Sequence, residues 1–146
     1  MLSTLGAVIV SDEPGAGINP ALRHGLAAAR SPYPSRVAAL AADLPALRPA
    51  ELSAALRAAH RHVRAFVTDS AGTGTTMYAA ASIEDFDPRF GSYSAARHAV
   101  DAISLEVEVP SLRRDVDTLD DLWVAILMGV GPHTAALRRA LPARSA

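Results

Sequence analysis

Two hydrophobic periods alternate along the chain. Unbroken apolar runs at residues 7–10, 37–42 and 65–67 have the length of strands, whereas Leu52, Leu56, Ala59 and Val63 fall near one face at helical spacing. The run at 37–42 lacks polar alternation, so it is predicted to be a parallel-sheet strand buried on both faces, closed by Asp43 and broken at Pro45. Open parallel sheets bind ligands outside the carboxyl ends of their strands, which makes Asp43 the first candidate for chemistry.

The remaining pattern fills in around that strand. Residues 11–17 read as a turn-rich loop, and Asn19-Pro20 as a cap and first-turn proline of a helix reaching about Arg30. Residues 31–34 are a stiff connector, and 76–81 continue as a strand after a loop over 69–76. Ser94 is predicted to cap a helix over 95–103, and the clean alternation of 105–109 predicts a strand near a sheet edge, ended by Pro110. Thr118 is predicted to cap a helix whose Leu119, Leu122, Trp123, Ile126 and Leu127 form a stripe packed on the sheet. Residues 129–132 break that helix and a last short one runs from His133 to about Leu141. The order β-α-β-α-β-β-α-β-α predicts a single α/β domain over residues 1–146, a mostly parallel sheet flanked by helices.

Composition narrows the function classes. Half of the 146 residues are hydrophobic, but many are alanine, so packing rests on scattered Leu, Val, Ile and Phe. The net charge is −1 and the 14 basic residues are dispersed arginines, which argues against nucleic acid or an anionic membrane as partner. There is no cysteine, hence no disulfide or thiolate metal site, and no apolar run spans a bilayer or opens a signal peptide. The expectation is a cytoplasmic protein. The chain also has no lysine, so it cannot by itself set a lysine ammonium against a triphosphate.

Four segments carry candidate chemistry. The loop at 15–17 follows a predicted strand and precedes a helix, as nucleotide-contacting loops do, although an ordinary βα connection reads the same way. In Gly72-Thr73-Gly74-Thr75-Thr76, glycines alternate with hydroxyls, exposing backbone N–H groups and short donors suited to a phosphate or carboxylate; a simple hairpin turn is the alternative. Ser94, after Gly91, stands where a helix N-terminus favours an anion, or is merely a cap. Asp115 and Asp117 precede the Thr118 cap, and residues two apart on an extended segment share a face. Their repulsion calls for a cation between them, with Mg2+ as the oxygen-loving candidate, or for pairing with Arg113 or Arg114.

Taken together, residues 42–47, Gly72-Thr73-Gly74-Thr75-Thr76, the segment from Arg89-Phe90-Gly91 to His98, and Arg114-Asp115-Val116-Asp117-Thr118 with Asp121-Leu122 resemble a known family. It is that of the phosphoenolpyruvate or 2-phospho-L-lactate guanylyltransferases of deazaflavin coenzyme F-420 biosynthesis. The resemblance covers nearly the whole chain. It implies a nucleotidyltransferase fold and an enzyme that joins the GMP moiety of GTP to a three-carbon phospho-acid with release of pyrophosphate. It further implies that Asp43, Asp115 and Asp117 form a Mg2+ site, that Thr75, Gly91 and Ser94 hold the phospho-acid, and that Gly17 and Asn19 lie by the nucleotide.

Members of that family carry, ahead of anything matching residues 7–10, a strand with a lysine- and arginine-bearing phosphate loop and a further helix–strand unit. The chain therefore reads as the C-terminal two-thirds of the family domain, short by roughly 60–70 residues at about 30 or more per βαβ unit, with Met1 an internal residue of a longer protein. The strands so removed would lie beside the one ending at Asp43, leaving edges for a second copy of the chain to cover. Two further readings stay open. One is a non-catalytic remnant that binds phospho-acid and Mg2+ without transferring a nucleotide, and the other a nucleotidyltransferase for a different acceptor, such as a molybdopterin or sugar phosphate.

Overall fold

Residues 4, 6–13, 15–29 and 36–137 are described by a computed structural model. The elements, in order, are α1 (Ile18–Ala28), β1 (Val37–Leu40), α2 (Pro49–Ala59), β2 (Arg64–Thr68), β3 (Thr75–Ala80), α3 (Ser94–His98), β4 (Ile103–Ser104), α4 (Pro110–Arg113), α5 (Leu119–Met128) and α6 (Pro132–Leu137). The strands form one four-stranded sheet in the order β1-β3-β2-β4.

The sheet is mixed, which corrects the mostly parallel expectation. The tight loop after Thr68 sends β3 straight back, and β3 then inserts between β1 and β2, so both neighbours run against it; only β2 and β4 pair in parallel. Since β1 and β2 both oppose β3, they point the same way. Their carboxyl ends meet at one end of the sheet, the arrangement that brings Asp43 and Asp69 towards each other.

β1 is also not buried on both faces. Among the described residues it is an edge strand, with Ala39 buried and Ala38 and Leu40 exposed. An alanine-rich run shows no alternation whether one face or two is covered, so the pattern could not distinguish an edge from a centre. The predicted strand at 7–10 is not formed either: those residues adopt no ladder, and Val8 and Ile9 stand 85% and 64% exposed. Four apolar residues become a strand only where a sheet edge accepts their N–H and C=O groups.

Helices cover both faces of the sheet. Against one lie α2 and α4, where Ala55, Ala59, Val67, Met77, Leu105 and Leu112 form a core. The α2 face that packs is therefore Leu52, Ala55 and Ala59, because Leu56 and Val63 of the expected stripe remain exposed. Against the other face lie Leu22 and Leu26 of α1, Ala95 of α3 and the 86–90 segment, around Phe66, Tyr78 and Ala80. Each of the large side chains shielded here contributes about 1.5–3 kcal/mol by leaving water.

Three further boundaries differ from the expectation. Helix α1 begins two residues early, with Gly17 rather than Asn19 as its cap, and α3 is only five residues, beginning at Ser94. Residues 105–109 keep the alternation of buried and exposed side chains but pair only through Leu105 N–H to Phe66 O at 2.9 Å, so the strand itself is confined to Ile103–Ser104. Thr118 caps α5 as predicted, in a reciprocal box with Asp121, but the helix is not seated on the sheet: Leu119 and Leu127 are 46% and 79% exposed. Residues 31–34 and the end of the last predicted helix lie outside the described residues. No helix among the described residues is long and apolar enough to cross a membrane.

Candidate functional site

At the carboxyl ends of β1 and β2 lies a cavity of about 740 Å3, the size range of small-ligand sites. Its walls bring together the acids Asp43, Asp69, Asp115 and Asp117 with Thr75, Gly91 and Ser94. Six of the eight residues picked out from sequence thus meet in one place. Of the remaining pair, Gly17 is an exposed helix cap outside the lining, although its neighbour Ile18 is part of it, and Asn19 faces another task.

The hairpin between β2 and β3 is held by Asp69, a residue the sequence reading passed over. Its carboxylate accepts from Thr73 N–H at 2.9 Å and Gly74 N–H at 2.7 Å. Gly74 must be glycine for this to work, because a Cβ there would stand 2.4 Å from Asp69 Oδ2. The signal was present as an aspartate ahead of a Gly-Thr-Gly turn, since Asp and Asn bond their own backbone a few residues on. The hairpin reading of this loop holds and the exposed-amide reading does not: the Thr73 and Gly74 N–H groups are taken by the Asp69 carboxylate, and Gly72 N–H by Asp69 O, so the loop walls the cavity without offering those amides to an anion. It also docks on α3 through Ala95 N–H to Thr73 O, 3.1 Å.

Opposite the hairpin, Asn19 grips the backbone of Phe90 from both sides. Its Oδ1 accepts from Phe90 N–H at 2.7 Å and its Nδ2 donates to Phe90 O at 3.0 Å. This fixes the next residue, Gly91, whose φ of 113° suits glycine and whose Cβ, if added, would meet Arg97 Nη2 at 3.0 Å. Tyr93 follows in the left-handed region at φ 55°, a cost accepted at the rim of the cavity. Ser94 is not the cap of α3, because Tyr93 occupies that position. Ser94 N–H donates to Gly91 O and Ala95 N–H to Thr73 O, so those two helix-end donors are already used and the Ser94 hydroxyl is what the site gains.

Beneath Thr75 lies His98, fully buried, its ring stacked on Tyr78 at 4.6 Å and edge-on to Phe90 at 5.3 Å. Nδ1 lies 2.9 Å from Thr75 Oγ1, and Nε2 accepts from Arg89 N–H at 2.9 Å. Burial, reinforced by the nearby Arg89 and Arg97 guanidinium groups, pulls its pKa down to about 4.

The acidic side of the cavity is unpaired with arginine. Arg114 bonds Asp121 at 3.2 Å, and Arg113 donates to Thr68 Oγ1 and to Leu105 O, so neither arginine neutralises Asp115 or Asp117. Burial, then the carboxylates of Asp69, Asp117 and Asp43, raise the Asp115 pKa above its ordinary value. No arginine or histidine stands among the lining residues. Such a donor set is chemically that of a hard divalent cation. Among the described residues no three acidic or histidine side chains are gathered tightly enough to enclose an ion. Asp43, Asp115 and Asp117 therefore share the cavity wall without closing into a three-carboxylate cage.

No family model matches the chain. Curated relatives named phosphoenolpyruvate guanylyltransferase match it closely. That of Thermomonospora curvata is 54% identical over 147 residues, 99% of this chain and 64% of its own length. That of Geodermatophilus obscurus is 56% identical over 93% of this chain and 62% of its own length. The Streptomyces coelicolor protein is 53% identical over 93% and 66% respectively. The chain therefore spans just under two-thirds of the length of the curated relatives it matches. More than half of the residues are shared with these phosphoenolpyruvate guanylyltransferases over nearly all of this chain's length, and that is the family it resembles.

Proposed function

We propose that this chain carries the acceptor and metal half of a guanylyltransferase that joins the GMP moiety of GTP to phosphoenolpyruvate. In the reaction an acceptor phosphate oxygen bonds to the α-phosphorus of GTP, the bond from that phosphorus to the bridging oxygen breaks, and pyrophosphate leaves. The observation that carries this reading is one cavity whose walls carry both Asp43, Asp115 and Asp117 and Thr75, Gly91 and Ser94. The family resemblance supports assigning the step to coenzyme F-420 assembly.

Each wall has a distinct part. The three aspartates, with Asp69 beside them, are the residues that would hold Mg2+, which when bound supplies positive charge between two anionic reactants. The hydroxyls of Thr75 and Ser94 orient the phospho-acid, and Gly91 lets backbone approach it without a side chain in the way. Holding the acceptor at a fixed angle to the incoming α-phosphorus is most of what a protein contributes to phosphoryl and nucleotidyl transfer.

The test is GTP- and Mg2+-dependent release of pyrophosphate in the presence of phosphoenolpyruvate, with the Thermomonospora curvata relative as positive control. Release that requires all three components supports the reading. A second reading, phospho-acid and Mg2+ binding without transfer, is favoured by one observation: the described cavity has no basic side chain in its lining, and the chain has no lysine. Calorimetric binding of phosphoenolpyruvate with Mg2+, but no GTP binding and no pyrophosphate, would select it. Failure to bind phosphoenolpyruvate under any condition would refute both.

A further inference from the structure

Among the described residues, His98 and Tyr78 are fully buried ionisable side chains that the reaction scheme leaves unused, and it is His98 that bonds Thr75 of the proposed site. Its two ring nitrogens have different neighbours, and one of them leaves no freedom. A backbone N–H can only donate, so the 2.9 Å bond from Arg89 N–H makes His98 Nε2 an acceptor carrying a lone pair. A neutral ring has one proton, which must then sit on Nδ1. Nδ1 faces Thr75 Oγ1 at 2.9 Å, so the ring donates and the hydroxyl oxygen accepts. The ring cannot rotate out of this arrangement, being stacked on Tyr78 and set edge-on against Phe90.

The consequence falls on the Thr75 proton. Its oxygen has accepted from below, and among the described residues no protein acceptor is found for its own O–H. Thr75 is 8% exposed, and that small exposed part is in the cavity wall. A free threonine hydroxyl can turn and serve as either donor or acceptor; here one role is already filled. An anionic oxygen in the cavity would meet a donor that needs no reorientation.

We infer that His98 is a positioning residue which, fixed as the Nδ1–H tautomer by Arg89 N–H, holds the Thr75 hydroxyl with its proton directed into the cavity, where it donates to an anionic oxygen of the phospho-acid. The second half of this assignment rests on the proposed phosphoenolpyruvate site; the first half does not. The depressed pKa supports it, because the neutral ring is then the form present at physiological pH.

Two measurements separate the halves. Nitrogen-15 long-range imidazole spectra of the ligand-free chain read the protonated nitrogen directly. An Nδ1–H pattern for His98 is expected, and an Nε2–H pattern overturns the assignment whatever the cavity binds. Calorimetry with phosphoenolpyruvate and Mg2+ then compares wild type with Thr75→Val, His98→Asn and His98→Gln. Asparagine can place an N–H donor where Nδ1 stands, whereas glutamine can place its oxygen against Arg89 N–H but leaves Thr75 without its donor. Thr75→Val and His98→Gln are each expected to weaken binding by about tenfold or more, the scale of one hydrogen bond to a charged group. His98→Asn is expected to bind within a few-fold of wild type. A purely structural role would reverse that order, since glutamine spares the buried Arg89 N–H, and the reversed order overturns the proposal. Weakening by Thr75→Val with none by His98→Gln overturns the role of His98 while sparing the phospho-acid site. If wild type binds no phosphoenolpyruvate, the functional reading fails and with it the donor half, and the spectra alone decide the tautomer.

Discussion

Acid should unfold this protein through His98 before its carboxylates matter. The ring is 0% exposed and its pKa falls from 6.5 to about 4 on folding, with burial the main cause, Arg89 and Arg97 adding to it, and Asp101 and Asp87 opposing. A depressed folded pKa means that the unfolded chain binds the extra proton more readily, so stability falls as pH falls between the two values. At about 1.4 kcal/mol per pKa unit, a gap of roughly 2.5 units amounts to a loss of about 2 kcal/mol between pH 7 and pH 5, approaching about 3 kcal/mol below pH 4. Protonation also places a hydrogen on Nε2, against Arg89 N–H, so the bond there is broken and not merely weakened. The assay is urea denaturation at pH 7 and pH 5 for wild type and His98→Gln, reading the free energy from midpoints at constant slope. Wild type should lose about 2 kcal/mol more than the variant over that interval. Equal losses would show that the buried ring does not titrate as described.

Three other outcomes follow from the cavity walls. Gly74→Ala would drive a Cβ to 2.4 Å from Asp69 Oδ2 and break up the two bonds that shape the hairpin; a stability loss of about 2–4 kcal/mol is expected by thermal melting, with phosphoenolpyruvate binding lost at temperatures where the variant remains folded. Asn19→Ala removes both bonds to the Phe90 backbone, costing about 1–3 kcal/mol and weakening phosphoenolpyruvate affinity through a loosened Gly91, both readable by calorimetry. Asp115→Asn acts oppositely on stability and function. Its raised pKa shows that the fold disfavours the ionised side chain, so the amide should raise the melting temperature at pH 7 while weakening Mg2+ binding. A fall in both would mean that Asp115 is held by favourable contacts instead of tolerated.

What could be read from the sequence was mostly local. The Thr118 cap needs only residues 118 and 121 to form, whereas the short helix opened by Pro110 was not expected, that proline being read only as the end of a strand. Asp43, Thr75, Ser94, Asp115 and Asp117 were picked out by residue type and by family resemblance, and the shared end of β1 and β2 brings them together. What escaped was decided by partners far along the chain. The direction of β1 depends on β3, some forty residues away, and the exposure of Leu127 depends on whether anything covers α5. Asn19 looked like a helix cap because Asn-Pro is a good one; 71 residues later Phe90 offers it two bonds where the cap offered one. The contact of His98 with Thr75 beneath the cavity floor had no local signature.

The acidic wall of the cavity also sets an order of events. Four carboxylates with no basic lining residue among the described residues repel a phosphate, so under the proposed function this cavity does not hold its acceptor until a cation has bound. Such coupling is reciprocal: whatever factor the cation adds to phospho-acid affinity, the phospho-acid returns to the cation. Free divalent-ion concentration then acts as a threshold. Below it, raising the acceptor concentration gains little occupancy; above it, each ligand holds the other in place.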